Sequence, residues 1–133
     1  MGKIKGVLID VEEQTSVKPT NGTSVIEIED SLDAYYEILK CSCIDIVNRE
    51  IGGKRFDIVC DDEGLFSDNV KPSAIAKGRE VMLVGNLFIA GMADEEGNLT
   101  SLTQEDCDII LEHTMRAFDS KGNTWPVVRD MDY

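Results

Sequence analysis

Cys43-Ile-Asp-Ile-Val-Asn-Arg-Glu-Ile51, Gly52-Gly53, and Arg55-Phe-Asp-Ile-Val-Cys60 form the stretch whose reading decides the fold. Both flanks are rich in β-branched and apolar side chains. The glycine pair between them reaches positive φ at little steric cost, so the stretch reads as a β-hairpin over 43–51 and 55–60. Downstream, Asp61-Asp-Glu-Gly64 ends the second strand. Residues 66–78, polar and containing Pro72, read as a long surface loop or a short helical turn.

Further along, Val81-Met-Leu-Val84 and Leu87-Phe-Ile-Ala90 are apolar runs interrupted by Gly85-Asn86, a bulge or bend between strand halves. Asp94-Glu-Glu-Gly97-Asn98 makes the next turn. Thr103 then opens a helix of about four turns. Cys107, Ile110, Leu111, Met115 and Phe118 place an apolar stripe along it. Upstream of the hairpin, Ile4, Val7, Leu8 and Ile9 suit a strand, and Ser24-Val-Ile-Glu-Ile-Glu29 alternates with period two. Ser31 caps a second amphipathic helix to Lys40, with Leu32, Tyr35, Tyr36 and Leu39 on one face.

These elements predict an α+β fold, a single antiparallel or mixed sheet packed with two helices, with Leu32, Tyr35 or Tyr36, Ile110, Leu111 and Met115 against the sheet. A chain of 133 residues supports one core. The expected organisation is one domain over 1–118 and a C-terminal tail over 119–133, docked through Trp125.

The charge balance narrows the function. Thirteen basic against 26 acidic side chains give a formal net charge of -13 and a pI near 4.3. Such a surface repels phosphate backbones and anionic membranes, so direct nucleic-acid and membrane partners are not expected, whereas a basic protein surface is attracted. No run of about 18 apolar residues is present, and the opening residues lack a long apolar leader, which leads to an expectation of a cytoplasmic protein.

Chemistry-bearing motifs are sparse. There is no Walker loop, no dinucleotide-binding glycine motif and no zinc-finger spacing. Cys41, Cys43, Cys60 and Cys107 form no pair of metal-binding clusters, and His113, the single histidine, falls off the apolar stripe and reads as a surface residue. On a strand, Cys41 and Cys43 share one face. The acidic turns 61–63 and 94–96 lack the ladder of a calcium loop. No catalytic residue, metal or cofactor is therefore expected.

Between Ile44 and Glu112 the chain resembles the family named domain of unknown function 3846. The likeness rests on Arg55-Phe-Asp-Ile-Val-Cys-Asp-Asp-Glu-Gly64, Val84-Gly-Asn-Leu-Phe-Ile-Ala-Gly91, Asp94-Glu-Glu-Gly97 and Ser101-Leu-Thr103, with fitting N-terminal segments that extend it over most of 3–112. The resemblance implies an accessory role in phage, plasmid or other mobile-element biology, and brings no activity with it.

Three functional readings follow. The first is a non-enzymatic accessory binding protein of a phage or mobile element, acting through its acidic surface on a host or element protein. Asp94, Glu95, Glu96 and Trp125 are its candidate contacts. The second is a small-ligand binder with a cleft near Gly85-Asn86, contacted by Arg55 and Asn86. The third is a metal-dependent enzyme built on converging carboxylates. The cysteine spacing generates one prediction independent of these readings: the purified protein carries four free thiols and no stoichiometric zinc. An intact mass two hydrogens light, or one zinc per chain by elemental analysis, contradicts it.

Overall fold

The computed structural model describes residues 3–11, 23–62, 71–118, 120–122 and 124–133. Residues 12–22 and 63–70 lie outside these residues, and with them the start of the 66–78 stretch expected as a loop, of which 72–76 form a strand instead. Among the described residues nine strands and two helices follow one another: β1 (Lys3–Ile9), β2 (Thr23–Glu29), α1 (Leu32–Leu39), β3 (Ile44–Ile51), β4 (Lys54–Asp61), β5 (Pro72–Ala76), β6 (Val81–Val84), β7 (Leu87–Ala90), α2 (Gln104–Glu112), β8 (Thr114–Phe118) and β9 (Thr124–Met131).

The expected single sheet is corrected to two, and the protein is mainly β. An antiparallel sheet has the order β2-β1-β7-β4-β3, and a mixed sheet has the order β6-β5-β9-β8, with β5 and β9 parallel. The physical reason lies at Gly85-Asn86. Gly85 has φ +77, and the strands on either side of it pair in different sheets. The dipeptide is a crossing between sheets rather than a bend within one strand. Asn86 anchors the crossing: it is buried, and its Oδ1 accepts from the Val11 N–H at 3.0 Å.

The hairpin forms as the sequence predicts. β3 and β4 pair in full register from Ile44↔Asp61 to Ile51↔Lys54, closed by a two-residue turn with Gly52 at φ +61 and Gly53 at φ +84. Positive φ at both central residues matches the right-handed strand twist.

The five-stranded sheet is covered on both faces. Val7, Ile9, Phe56, Ile58, Leu87 and Ile89 face the second sheet and α2. Ile4, Val59, Phe88 and Ala90 face Tyr35 and Leu39 of α1. With period two along each strand, two covered faces make all four residues of β7 buried. Gly6 is required beside them, because a Cβ there would overlap Phe88 Cζ and stand 2.6 Å from the Ile89 carbonyl.

The helices are shorter than the apolar spacing suggested. Ser31 caps α1 by accepting from the Ala34 N–H. Thr103 and Asp106 form a capping box on α2, which ends at His113. The chain then turns into β8, so Met115 and Phe118 sit on an edge strand, exposed, rather than on a fourth helical turn. Thr114, Met115 and Phe118 have the β-branched and apolar character of a strand, and pairing with β9 outweighs the helical spacing. Leu32 and Leu111 are likewise exposed, whereas Tyr35, Ile110 and Cys107 are buried.

Residues 124–131, within the stretch expected as a tail, form β9, which lies between β5 and β8. Trp125 is buried there, its Nε1–H donating to the Pro72 carbonyl at 2.9 Å with the Lys71 ammonium over the ring. Cys41 and Cys43 precede β3 instead of sharing a strand face, and all four cysteines are free. Among the described residues, no helix is long and apolar enough to cross a membrane.

Adjacent residues on α2 separate core from surface. Ile110→Asp puts an unpaired carboxylate at a fully buried position and is expected to cost about 3 kcal/mol or more. Leu111→Gln, at an exposed position, is expected to change stability by less than about 1 kcal/mol. Urea unfolding of both variants checks the pair, and equal losses contradict the assignment.

Candidate functional site

Where the two sheets meet at the hairpin end, the described residues line a half-open cavity of about 430 Å³, bordered by Glu50, Gly52, Gly53, Lys77, His113, Asp130 and Asp132. Four pieces of chain build it: the β3–β4 turn, the turn after β5, the C-terminal end of α2, and the end of β9. Its volume falls within the range of small-ligand sites, roughly 300–1,000 Å³.

Gly52 lets the wall close. A Cβ there would lie 2.7 Å from Ile109 Cγ2 and 2.9 Å from His113 Cε1, so the bare backbone allows α2 to pack over the turn. His113 caps α2: its backbone N–H reaches the Ile109 and Ile110 carbonyls, and its Nδ1 lies 2.8 Å from the Ile109 carbonyl. A carbonyl can only accept, so Nδ1 carries the proton in this contact.

The β9 wall is shaped by a bulge. Ala74 pairs with Val128 and Ala76 with Met131, so Ile75 on β5 faces both Arg129 and Asp130. Asp130 takes φ +57, the left-handed region that a non-glycine residue occupies at a cost. Arg129 secures the bulge. Its N–H donates to the His113 carbonyl at 2.7 Å, Nη1 pairs with Asp130 at 2.7 Å, and Nη2 donates to the Glu112 carbonyl at 3.0 Å. Beyond the bulge, the Glu50 N–H donates to the Asp132 carbonyl at 2.8 Å and the Asp132 N–H to the Glu50 carbonyl at 2.9 Å. This isolated antiparallel bridge ties the edge of one sheet to the end of a strand in the other.

On the hairpin's far side, Lys54 pairs with Asp106, which also accepts from the Thr103 N–H and helps hold α2 over the turn. Burial acts to raise the Asp106 pKa, but the hydrogen bonds from Lys54 and Thr103 outweigh it and hold the carboxyl below its ordinary 3.8. Elsewhere, burial is the largest cause that pushes the Cys60 thiol up to about 11 and raises Cys41 and Cys107. Thiols raised in this way are poor nucleophiles at neutral pH. Among the described residues, no three His, Cys, Asp or Glu side chains converge as ligands for a metal ion.

The residues singled out in the sequence lie elsewhere and do not gather at one point. Arg55 is at the turn end of β4, donating to Asn48 Oδ1 and to the Tyr133 carbonyl. Asn86 precedes Leu87, which pairs with Cys60 at the other end of β4. The five-residue separation along that strand corresponds to about 17 Å. Asp94, Glu95 and Glu96 are exposed beyond β7, and Asp94 Oδ1 accepts from the Glu96 and Asn98 N–H groups, making Asp94 the shaper of its turn. Trp125 is within the core of the second sheet.

Sequence reasoning missed Glu50, Lys77, His113, Asp130 and Asp132 as neighbours. The available signal was the apolar run Trp125–Val128 with Met131, which supports a strand and would have brought the last carboxylates back to the hairpin.

Fold and site define a mainly β two-sheet domain with a polar cavity at the seam between its sheets. The chain belongs to the family described as domain of unknown function (DUF3846), whose model matches residues 14–115. No curated protein and no solved structure matched the chain.

The Asp106 contact generates a pH prediction. A carboxyl with a depressed folded-state pKa contributes stability above its unfolded value, near 3.9, and loses that contribution as pH falls through the folded value. The parent is therefore expected to exceed Asp106→Asn in stability at pH 7, with the difference shrinking below about pH 4. Urea midpoints across pH 3–7 check this, and a constant difference contradicts it.

Proposed function

We propose that this protein is a non-enzymatic binding module that engages a basic partner protein through its acidic surface. The reading includes a cytoplasmic, accessory role in the biology of a phage or other mobile element. The observation that carries it is the placement of the acid excess. The net charge is -13, and Glu27, Glu29, Asp33, Glu37, Glu95 and Glu96 are all exposed. Two ion pairs join described residues to one another, Lys54–Asp106 and Arg129–Asp130; each matches one charge of either sign, so the net of -13 stands. A field of this sign speeds encounter with a basic surface and disfavours acidic competitors.

The raised thiols and the scattered carboxylates favour binding over covalent chemistry. The 94–98 turn is the leading local contact because Glu95 and Glu96 project from a turn that Asp94 already stabilises. Substitution of those two glutamates therefore perturbs charge with little effect on shape.

Capture of partners from lysate on the immobilised protein, with elution by a salt gradient and mass spectrometry, tests the reading. Basic proteins are expected to elute as salt shortens the Debye length from about 10 Å at 0.1 M to about 3 Å at 1 M. Glu95→Gln combined with Glu96→Gln should lower the eluting salt concentration. Partners that are acidic, or retained equally at all salt concentrations, contradict an electrostatic contact, and reproducible turnover of a substrate contradicts the non-enzymatic assignment.

A further inference from the structure

Among the described residues four strands stand at sheet edges, β2 and β3 in one sheet and β6 and β8 in the other. An edge strand presents unpaired N–H and C=O groups to any strand that can reach it, and proteins guard such edges with charge, proline or a bulge. Three of the four are guarded. β2 exposes Glu27 and Glu29, β3 exposes Asp45 and is tied through Glu50 to Asp132, and β6 is four residues long behind the exposed Glu80. β8, Thr114-Met-Arg-Ala-Phe118, has no carboxylate and pairs with β9 over its whole length without a register shift. Its one charge, Arg116, is turned back over β9, where Nη2 donates to Thr124 Oγ1. Met115 and Phe118 remain exposed, Phe118 to 78%.

The ladder fixes which backbone groups of β8 are free. The Arg129 N–H donates to the His113 carbonyl, and by the register of β8 on β9 these two residues stand directly opposite one another. Hydrogen-bonded and non-hydrogen-bonded pairs alternate in an antiparallel ladder. Met115 and Ala117 therefore bond to Val127 and Trp125, while Thr114, Arg116 and Phe118 turn their N–H and C=O groups outward. Pro126 agrees: it has no N–H, and it stands opposite Arg116 in a pair that needs none. Three donors and three acceptors thus lie along an edge that no strand pairs among the described residues.

We propose that two copies of this chain pair through β8, antiparallel about a two-fold axis at Arg116. The pattern of outward groups is symmetric about Arg116 and so is its own complement. The arrangement sets Thr114 of one copy opposite Phe118 of the other and Met115 opposite Ala117, and it joins the outward groups in about six main-chain hydrogen bonds. Phe118 and Met115 each gain a neighbour across the seam. Charge selects this edge: two chains of net -13 repel, and at β8 they meet without setting carboxylate against carboxylate. The two Arg116 groups face one another, a like-charge contact that the acid excess of both chains offsets. So short a seam gives a weak, reversible dimer. The pairing is separate from the acidic-surface reading and has the opposite salt dependence.

Sedimentation equilibrium of the full chain, from about 10 μM to about 1 mM, tests the pairing. Dimer is expected at the upper end, and its dissociation constant should fall as salt rises from about 0.1 M to about 1 M, because screening lowers the repulsion between chains. Phe118→Glu and Arg116→Glu should each raise that constant at least tenfold, since each brings carboxylates into the seam. Val25→Glu, at an exposed position of β2 and with the same change in charge as Phe118→Glu, should leave it within twofold.

Urea midpoints of the dilute variants check that each folds as the parent does, and the exposed Phe118 position carries the test if Arg116→Glu does not fold. A dimer indifferent to Phe118→Glu, or weakened equally by Val25→Glu, overturns the proposal. A chain that stays monomeric at every concentration and salt also overturns it, even if β8 takes up a strand of some other protein.

Discussion

The structure depends on the burial of β7 on both of its faces. Leu87 and Ile89 point toward the second sheet while Phe88 and Ala90 point toward α1, and β1 and β4 pair on either side. A short strand with every side chain buried and both backbone edges paired leaves little room for local rearrangement. Gly6 admits the Phe88 ring, and Asn86 fixes where the strand begins by holding Val11, just past the end of β1. From that fixed point the chain enters the second sheet through Gly85, so the relation between the sheets is set within two residues.

Much of this was legible locally. The Gly52-Gly53 hairpin is present, and Ser31 and Thr103 start the two helices as their side chains suggest. The partition into sheets was not legible, because an apolar run such as Val81–Val84 carries no mark of which sheet it joins. The C-terminal limit of α2 was misread for a related reason. Met115 and Phe118 continue a helical spacing from Ile110, and only the presence of β9 as a partner makes the strand preferable. The cavity was invisible for the same cause: its residues come together through long-range pairing, with Glu50 and Asp132 joined across most of the chain.

Electrostatics and architecture meet at the seam. Lys54–Asp106 helps hold α2 over the hairpin turn, and Arg129 holds the β9 bulge against the end of the same helix. Each device uses a cation to fasten backbone and a carboxylate around the cavity. In a chain so rich in acid, the scarce basic side chains near this site thus act mostly as structural fasteners.

The isolated bridge joins two parts of the chain that stand differently to the family match. Glu50, Gly52, Gly53, Lys77 and His113 fall within the matched residues 14–115, whereas Asp130 and Asp132 lie beyond them. One wall of the cavity therefore belongs to the common segment and the other to the terminal strand. The last strand thus has two duties at once, filling the core of the second sheet with Val127, Val128 and Met131 and closing the recess with the residues that follow.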